Sequence, residues 1–251
     1  KKYYNNIEYI IHLAGQAGVR HSIKYPEEFI KNNILAYIKL LEFFKLSKKL
    51  KFLFYASSSS VYGEKNSNKK SLFSNNKPTS VYAASKISME LISNTYSYLY
   101  NKNLIGLRFF TVFGPWGRPD MAYFKFFCMA SKDKKIEIYN YGNHYRSFTY
   151  IDDITLNLMK IINKFGNHKK RICDVFNIGN PNSVSLKKFI KVLEAKYGKK
   201  GNKKYTRKHP GDLTITRSNV EREKNIFNHE IKVSLKLGVE KLVNWHQKYY
   251  K

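Results

Sequence analysis

Cysteine is almost missing. The two present, Cys128 and Cys173, lie far apart and form no CxxC pair. A disulfide framework or thiolate metal centre therefore lacks material, and a reducing cytoplasm is the expected setting. No apolar run approaches the roughly 18 residues of a membrane span. The opening KKYYNNIEYIIHLAG is a polar lead into a strand, not a signal peptide. The first residue is Lys rather than Met, so a processed product or a fragment is expected. Acidic residues are scarce, 18 against 46 basic ones, for a net charge of +28. Such a field attracts polyanions. Yet the lysines are spread along the whole chain, with no arginine-rich arm, zinc-finger or RNA-binding signature. Heavy use of Lys, Asn, Ile, Tyr and Phe is also what A/T-rich codons produce. Nucleic acid is not an expected partner.

What is present is material for a core. The chain has 251 residues, 43% hydrophobic and 16% aromatic, enough for one large or two small globular domains. IEYIIHLAG reads as a strand ending in a Gly turn. In YPEEFIKNNILAYIKLLEFFK, Pro26, Glu27 and Glu28 suit a helix N-terminus, and Ile30, Ile34, Tyr37, Leu41 and Phe44 recur at helical spacing. KFLFYA is a strand, followed by the serine run Ser57–Ser60 and a polar loop containing KNSNKK. A helix over 81–100 and the strand LIGLRFF come next. Alternating strands and helices indicate a parallel, doubly wound α/β sheet, whose ligands bind beyond the carboxyl ends of the strands. HLAGQAGVR, SSSSVYG and TVFGPWGRPD all follow strands, so their Gly and hydroxyl residues converge on one edge.

Beyond Pro119 the spacing predicts a helix over 121–131, short strands near IEIYN and RSFTYI, a helix opened by Asp152 and Asp153, and the strand DVFNIG. Ser185 and Ser234 are predicted N-caps of the last two helices. His12, Trp116 and Trp245 are expected to pack.

YAASK holds Tyr82 and Lys86 four residues apart on one helix face. An ammonium beside a phenol lowers its pKa from about 10, which makes Tyr82 a usable base. With 20 tyrosines and so much lysine, the same spacing also arises as a surface pair. The serine-bearing strand end before it favours chemistry.

ASSSSVYG, YAASK, RFFTVFGPWGRPDMA, YNYGNHYRSFTYIDDI, VFNIGN and HPGDL occur in that order. The chain thereby resembles the nucleotide-sugar epimerases of the extended short-chain dehydrogenase/reductase type, nearest the UDP-glucuronate 4-epimerase group, from Ile7 to Tyr250. The resemblance implies a Rossmann-type doubly wound sheet with a smaller α/β substrate-binding domain. Residues 1–115 would be the remainder of the NAD-binding domain and 116–251 mainly the UDP-sugar domain, with 172–197 returning to the sheet. Family members begin with strands and a G-x-x-G-x-x-G turn that holds the NAD pyrophosphate. This sequence starts at what resembles their fourth strand, so roughly the first quarter of the pattern is expected to be missing.

The resemblance also assigns roles. NAD would be lined by Leu13, Ala14, Gly15, Asn33, Ser57, Phe109, Tyr82 and Lys86. Tyr82 would take the 4-hydroxyl proton of the sugar, with Ser58 as bridge and Lys86 tuning the phenol. Arg20, Ser58, Ser59, Ser60, Thr111, Arg118, Arg146 and Asp212 would contact the UDP-sugar, the two later arginines at its pyrophosphate and Asp212 at its ribose. Related 4,6-dehydratases carry an Asp-Glu pair before VYG, and UDP-glucuronate decarboxylases a Glu; Ser59 and Ser60 replace these acids here. The implied reaction is C4 epimerisation of UDP-glucuronate by a homodimer. UDP-glucose or UDP-N-acetylhexosamine epimerisation, and an inactive remnant that binds polyanions, remain the alternatives.

Overall fold

The computed structural model describes residues 6–63, 77–131, 135–168 and 170–250, and the KNSNKK loop lies outside them. In chain order the elements are β1 (Tyr9–His12), α1 (Val19–Lys24), α2 (Pro26–Phe29), a π-helical segment (Ile30–Leu35), α3 (Ala36–Leu46), β2 (Phe52–Ser58) and α4 (Val81–Tyr100). Then follow β3 (Asn103–Phe109), β4 (Thr111–Phe113), α5 (Ala122–Ser131), β5 (Ile136–Ile138), β6 (Tyr145–Arg146), β7 (Phe148–Tyr150) and α6 (Ile151–Phe165). The last are β8 (Cys173–Ile178), β9 (Val184–Ser185), α7 (Leu186–Tyr197), β10 (Lys203–Tyr205), β11 (Ile215–Thr216), α8 (Glu221–Phe227) and α9 (Leu235–Tyr249).

Four strands form a parallel sheet in the order β1-β2-β3-β8. The central strands β2 and β3 are largely apolar runs because both their faces are covered, while Ile11 on the edge strand β1 is exposed. Phe52 and Phe54 point to one side, where Ile105, Leu107 and Phe176 of the sheet meet Ile161 of α6 and Phe227 of α8. Leu53 and Tyr55 point to the other, against Tyr37, Leu41 and Phe44 of α3 and Met89 of α4. Alternation along one strand thus builds two cores, one under each helical layer.

The later residues form a separate core. Phe113, Tyr123, Phe126, Phe127, Phe148, Phe189 and Leu193 pack with Val239 and Leu242 of α9. Short strands frame it: β4 beside β7, β5 beside β10, and β11-β6-β9. Strand β8 pairs with β3 in the four-stranded sheet, whereas the α7 residues Phe189, Ile190 and Leu193 pack in this second core. Ser185 and Ser234 cap α7 and α9 as expected, accepting from the backbone N–H groups of Lys188 and Leu237 at 3.2 Å each.

Two local expectations change. The stripe beginning at Ile30 assumed an unbroken α-helix, but the π-helical segment inserts an extra residue per turn. Ile30 is consequently 42% exposed, while Phe29 and Asn33 turn inward. At α6, neither acid caps its own helix; Tyr150 holds the N-cap position. Asp153 is buried and accepts from the backbone N–H groups of Lys232 and Val233 at 2.9 and 3.1 Å, bracing the chain ahead of α9. Asp152 remains at the surface, paired with Lys241. Among the described residues no helix is long and apolar enough to cross a membrane.

Candidate active site

The serine run is part strand and part turn. Ser57 and Ser58 extend β2, and Ser59–Tyr62 form a 3-10 turn. Ser58 caps that turn, its Oγ accepting from the Ser60 N–H at 3.2 Å. Gly63 closes it at φ +65°; a Cβ there would meet the Lys77 carbonyl at 2.2 Å, so only glycine fits. Opposite, Ser80 caps α4 by accepting from the Ala83 N–H. This fixes Tyr82 in the first helical turn, facing the end of β2.

The Ser58 hydroxyl faces the same cavity as the Tyr82 phenol and favours its ionised form. Burial nevertheless raises the Tyr82 pKa, and the Ser58 hydroxyl and the Arg118 charge oppose that rise only in part. Lys86, expected to depress the phenol, points elsewhere. Its Nζ donates to the Ala56 carbonyl at 2.8 Å and lies 3.8 Å from Met89 Sδ. Burial holds its own pKa down to about 8. The pair does share a helix face, but helix geometry aims the long lysine at the strand rather than at the phenol.

A cavity of about 440 Å³ opens in front of these groups. Ser58, Ser59, Ser60, Tyr82, Thr111 and Arg118 supply its polar lining, with Phe109, Trp116 and Gly114 among the rest. Trp116 was expected to pack. It is 69% exposed at φ +60°, although its ring lies edge-on to Trp245 and Tyr249. The loop from Gly114 to Met121 has no interior to offer it, so only the C-terminal aromatics cover one side of the ring. His12 does pack, stacked on Tyr37 at 5.5 Å.

A second cavity, about 530 Å³, shares Thr111 and Arg118 with the first and extends past Arg20, Tyr139, His144, Arg146 and Asp212. Here Arg20 and Asp212, 192 residues apart, form an ion pair at 2.6 Å. The Arg20 guanidinium also lies 3.8 Å from the centre of the Tyr139 ring. Arg118 pairs with Asp120 at the surface. Arg146 is turned inward: it donates to the carbonyls of Tyr145, Thr214 and Leu213, and burial lowers its pKa to about 10. These bonds tie it to the loop that carries Asp212, while it still lines the cavity.

The residues assigned to NAD divide into two groups. Leu13 is 56% exposed just beyond β1, with Ala14 and Gly15 beside it. A Cβ on Gly15 would sit 2.8 Å from Asn33 Oδ1 and 3.6 Å from Lys86 Nζ, so the bare glycine leaves a cradle open over the lysine. Asn33 and Ser57 are buried with their polar atoms engaged. Asn33 brackets Gln16, accepting from its N–H at 2.7 Å and donating to its carbonyl and to Ser85 Oγ, both at 2.9 Å. Ser57 donates to Glu90. Phe109 is half-buried at the end of β3, level with Ser58.

Sequence reasoning overlooked Tyr139 and Glu90. Glu90 continues the four-residue spacing of Tyr82 and Lys86, a signal that was legible. Tyr139 needs the tertiary fold to meet Arg20.

Comparison with known proteins adds four findings. Residues 2–179 match the NAD dependent epimerase/dehydratase family. Protein CapI of Staphylococcus aureus is 41% identical over 97% of this chain and 77% of its own length. UDP-glucuronate 4-epimerase 1 of Arabidopsis thaliana is 37% identical over 96% of this chain, which spans 59% of the plant protein. The crystal structure of UDP-glucuronic acid 4-epimerase from Bacillus cereus, in complex with UDP-glucuronic acid and NAD, superposes with a TM-score of 0.91. It is 32% identical, over 99% of this chain and 78% of that one.

Proposed function

The chain belongs to the NAD dependent epimerase/dehydratase family, and we propose that it inverts C4 of UDP-glucuronate through a 4-keto sugar. The observation that carries this reading is the lining of the Tyr82 cavity. It offers the hydroxyls of three serines and Thr111, the phenols of Tyr82 and Tyr123, one guanidinium and, among the described residues, no carboxylate. An acid is what elimination of water needs. Hydroxyls and an arginine instead suit an anionic sugar.

Tyr82 takes the 4-hydroxyl proton and later returns it, with Ser58 bridging phenol and sugar. Ser59, Ser60 and Thr111 hold the sugar carboxylate. The 4-keto sugar is a β-keto acid, and these hydroxyls keep its carboxylate away from the orientation that releases CO₂. Arg118, Arg20 and Asp212 bind the UDP portion, for which the Arg20–Asp212 pair must open. The open cradle at Gly15 fits a nicotinamide, with Leu13, Ala14 and Lys86 to hold it. NAD supplies the hydride acceptor and donor at C4.

The outward residues Leu91, Tyr98 and Leu99 of α4 support assembly as a homodimer; light scattering at graded concentration tests it. Two cysteines in the whole chain, with Cys173 a free thiol, support a cytoplasmic location.

The decisive experiment incubates the protein and NAD with UDP-glucuronate, UDP-glucose and UDP-N-acetylglucosamine, reading products by NMR. UDP-galacturonate from UDP-glucuronate is expected, without deoxysugar or pentose. Turnover of the neutral sugars alone would reassign the substrate. No turnover, no NAD binding and salt-sensitive binding of polyanions would make the chain a remnant.

A further inference from the structure

Helix α4 presents a third polar group on the face of Tyr82 and Lys86. Glu90 follows at the same four-residue step and is 1% exposed. Arg108 of β3, 2% exposed, grips it in a fork: Nε to Oε1 at 2.8 Å and Nη2 to Oε2 at 2.6 Å. Such a pair is a poor source of stability. Taking both charges out of water costs much of what their attraction returns, and apolar residues of similar volume often serve as well. What a planar, two-bond fork provides better than apolar packing is direction.

The sheet register says what is being directed. Ser57, Arg108 and Asn177 are lateral neighbours on β2, β3 and β8. Ser57 Oγ donates to Glu90 Oε1 at 2.5 Å. Arg108 Nη1 donates to the Tyr62 hydroxyl at 3.0 Å, and that hydroxyl donates to Asn177 Oδ1 at 2.6 Å. The guanidinium also lies 4.8 Å from the centre of the Tyr62 ring. This polar layer lies one residue beneath Ser58. It joins α4 through Glu90, β2 through Ser57, and the turn Ser59–Tyr62 through Tyr62. Those three elements carry Tyr82, Ser58, and the pair Ser59 and Ser60.

We propose that the Glu90–Arg108 pair is a positioning device, which fixes α4 against the end of β2 so that Ser58 stays within reach of the Tyr82 phenol. Apolar packing alone would let helix and strand slide by the few tenths of an ångström that separate a good hydrogen bond from a poor one. Its use in catalysis rests on Tyr82 as the base, but the geometry is measurable without turnover.

The test uses protein grown on 3-fluorotyrosine, with the Tyr82 fluorine line assigned by its loss in Tyr82→Phe. The double variant Glu90→Leu/Arg108→Met replaces the charges by apolar groups, and Ser57→Ala cuts only one link. We expect the double variant to melt close to the parent while the titration midpoint of Tyr82 rises by about half a pH unit or more. Ser57→Ala shifts it less, in the same direction. With UDP-glucuronate, kcat falls about tenfold or more in the double variant and KM changes less than about twofold. An unmoved Tyr82 midpoint in both variants overturns the proposal. Should the double variant not fold, Ser57→Ala together with Tyr62→Phe decides by the same titration. A parent without epimerase activity would sink the functional reading, while the fluorine titration still scores the positioning.

Discussion

Lys86 donates to the carbonyl oxygen of Ala56 at 2.8 Å, one residue before the serine run. The lysine therefore ties the helix bearing Tyr82 to the strand bearing Ser58, at the cost of burying its own charge.

That cost is measurable. Lys86 titrates at about 8, against 10.5 for a free lysine. The folded state holds its proton less tightly than the unfolded chain, so a penalty is fully present below pH 8 and disappears as pH rises towards 10.5. At 1.36 kcal/mol per unit, it amounts to about 3 kcal/mol at most. Lys86→Met is expected to be more stable than the parent at pH 7 and to lose that advantage above pH 10, while losing activity. Urea unfolding of both proteins from pH 6 to 10.5 checks the sign.

Ser58→Ala removes the hydroxyl that lowers the Tyr82 pKa. Less phenolate is then present at neutral pH, so the rising limb of kcat/KM moves to higher pH. The loss at pH 7, about 10- to 100-fold, should shrink at pH 9. Tyr82→Phe should lose about 10²- to 10⁴-fold at both. A pH–rate profile separates the two; a uniform loss in Ser58→Ala would remove the serine from the proton path.

Thr111 lines both cavities. In the proposed reaction, Thr111→Ala loosens the sugar carboxylate, and a larger share of turnover should end as the decarboxylated UDP-pentose. The product ratio by NMR is the readout. An unchanged ratio would show that the carboxylate is held by other groups.

Asp153 carries no chemistry but accepts two backbone N–H groups across about 80 residues of chain. Asp153→Ala takes the charged acceptor from both N–H groups, costing about 1–3 kcal/mol in all because water reaches them in part. A lower urea midpoint with unchanged KM is expected.

The architecture was legible where one residue's environment is set by its near neighbours. KFLFYA had to be a doubly buried strand because it has no polar face, and Ser185 and Ser234 cap helices through bonds three residues long. Tyr82 and Lys86 were legible as a helix-face pair. Their division of labour was not, because the direction of Lys86 depends on a carbonyl 30 residues away. Arg20 and Asp212 were each assigned to substrate; that they meet each other follows only from the packing of α1 against the loop after β10. Asn33 and Ser57 were assigned to NAD because they match positions of the family pattern; that both are buried with their polar atoms engaged depends on partners far along the chain.

The π-helical segment at Ile30–Leu35 makes turn width a structural requirement. Winding the same six residues as ordinary α-helix would rotate everything after them by about 100°. Either Phe29 and Asn33 or Tyr37 and Leu41 would then leave the interior. Such a change leaves composition and hydropathy untouched, yet it would release the Gln16 backbone that Asn33 brackets. In this helix the width of one turn is under tighter constraint than the identity of most residues in it.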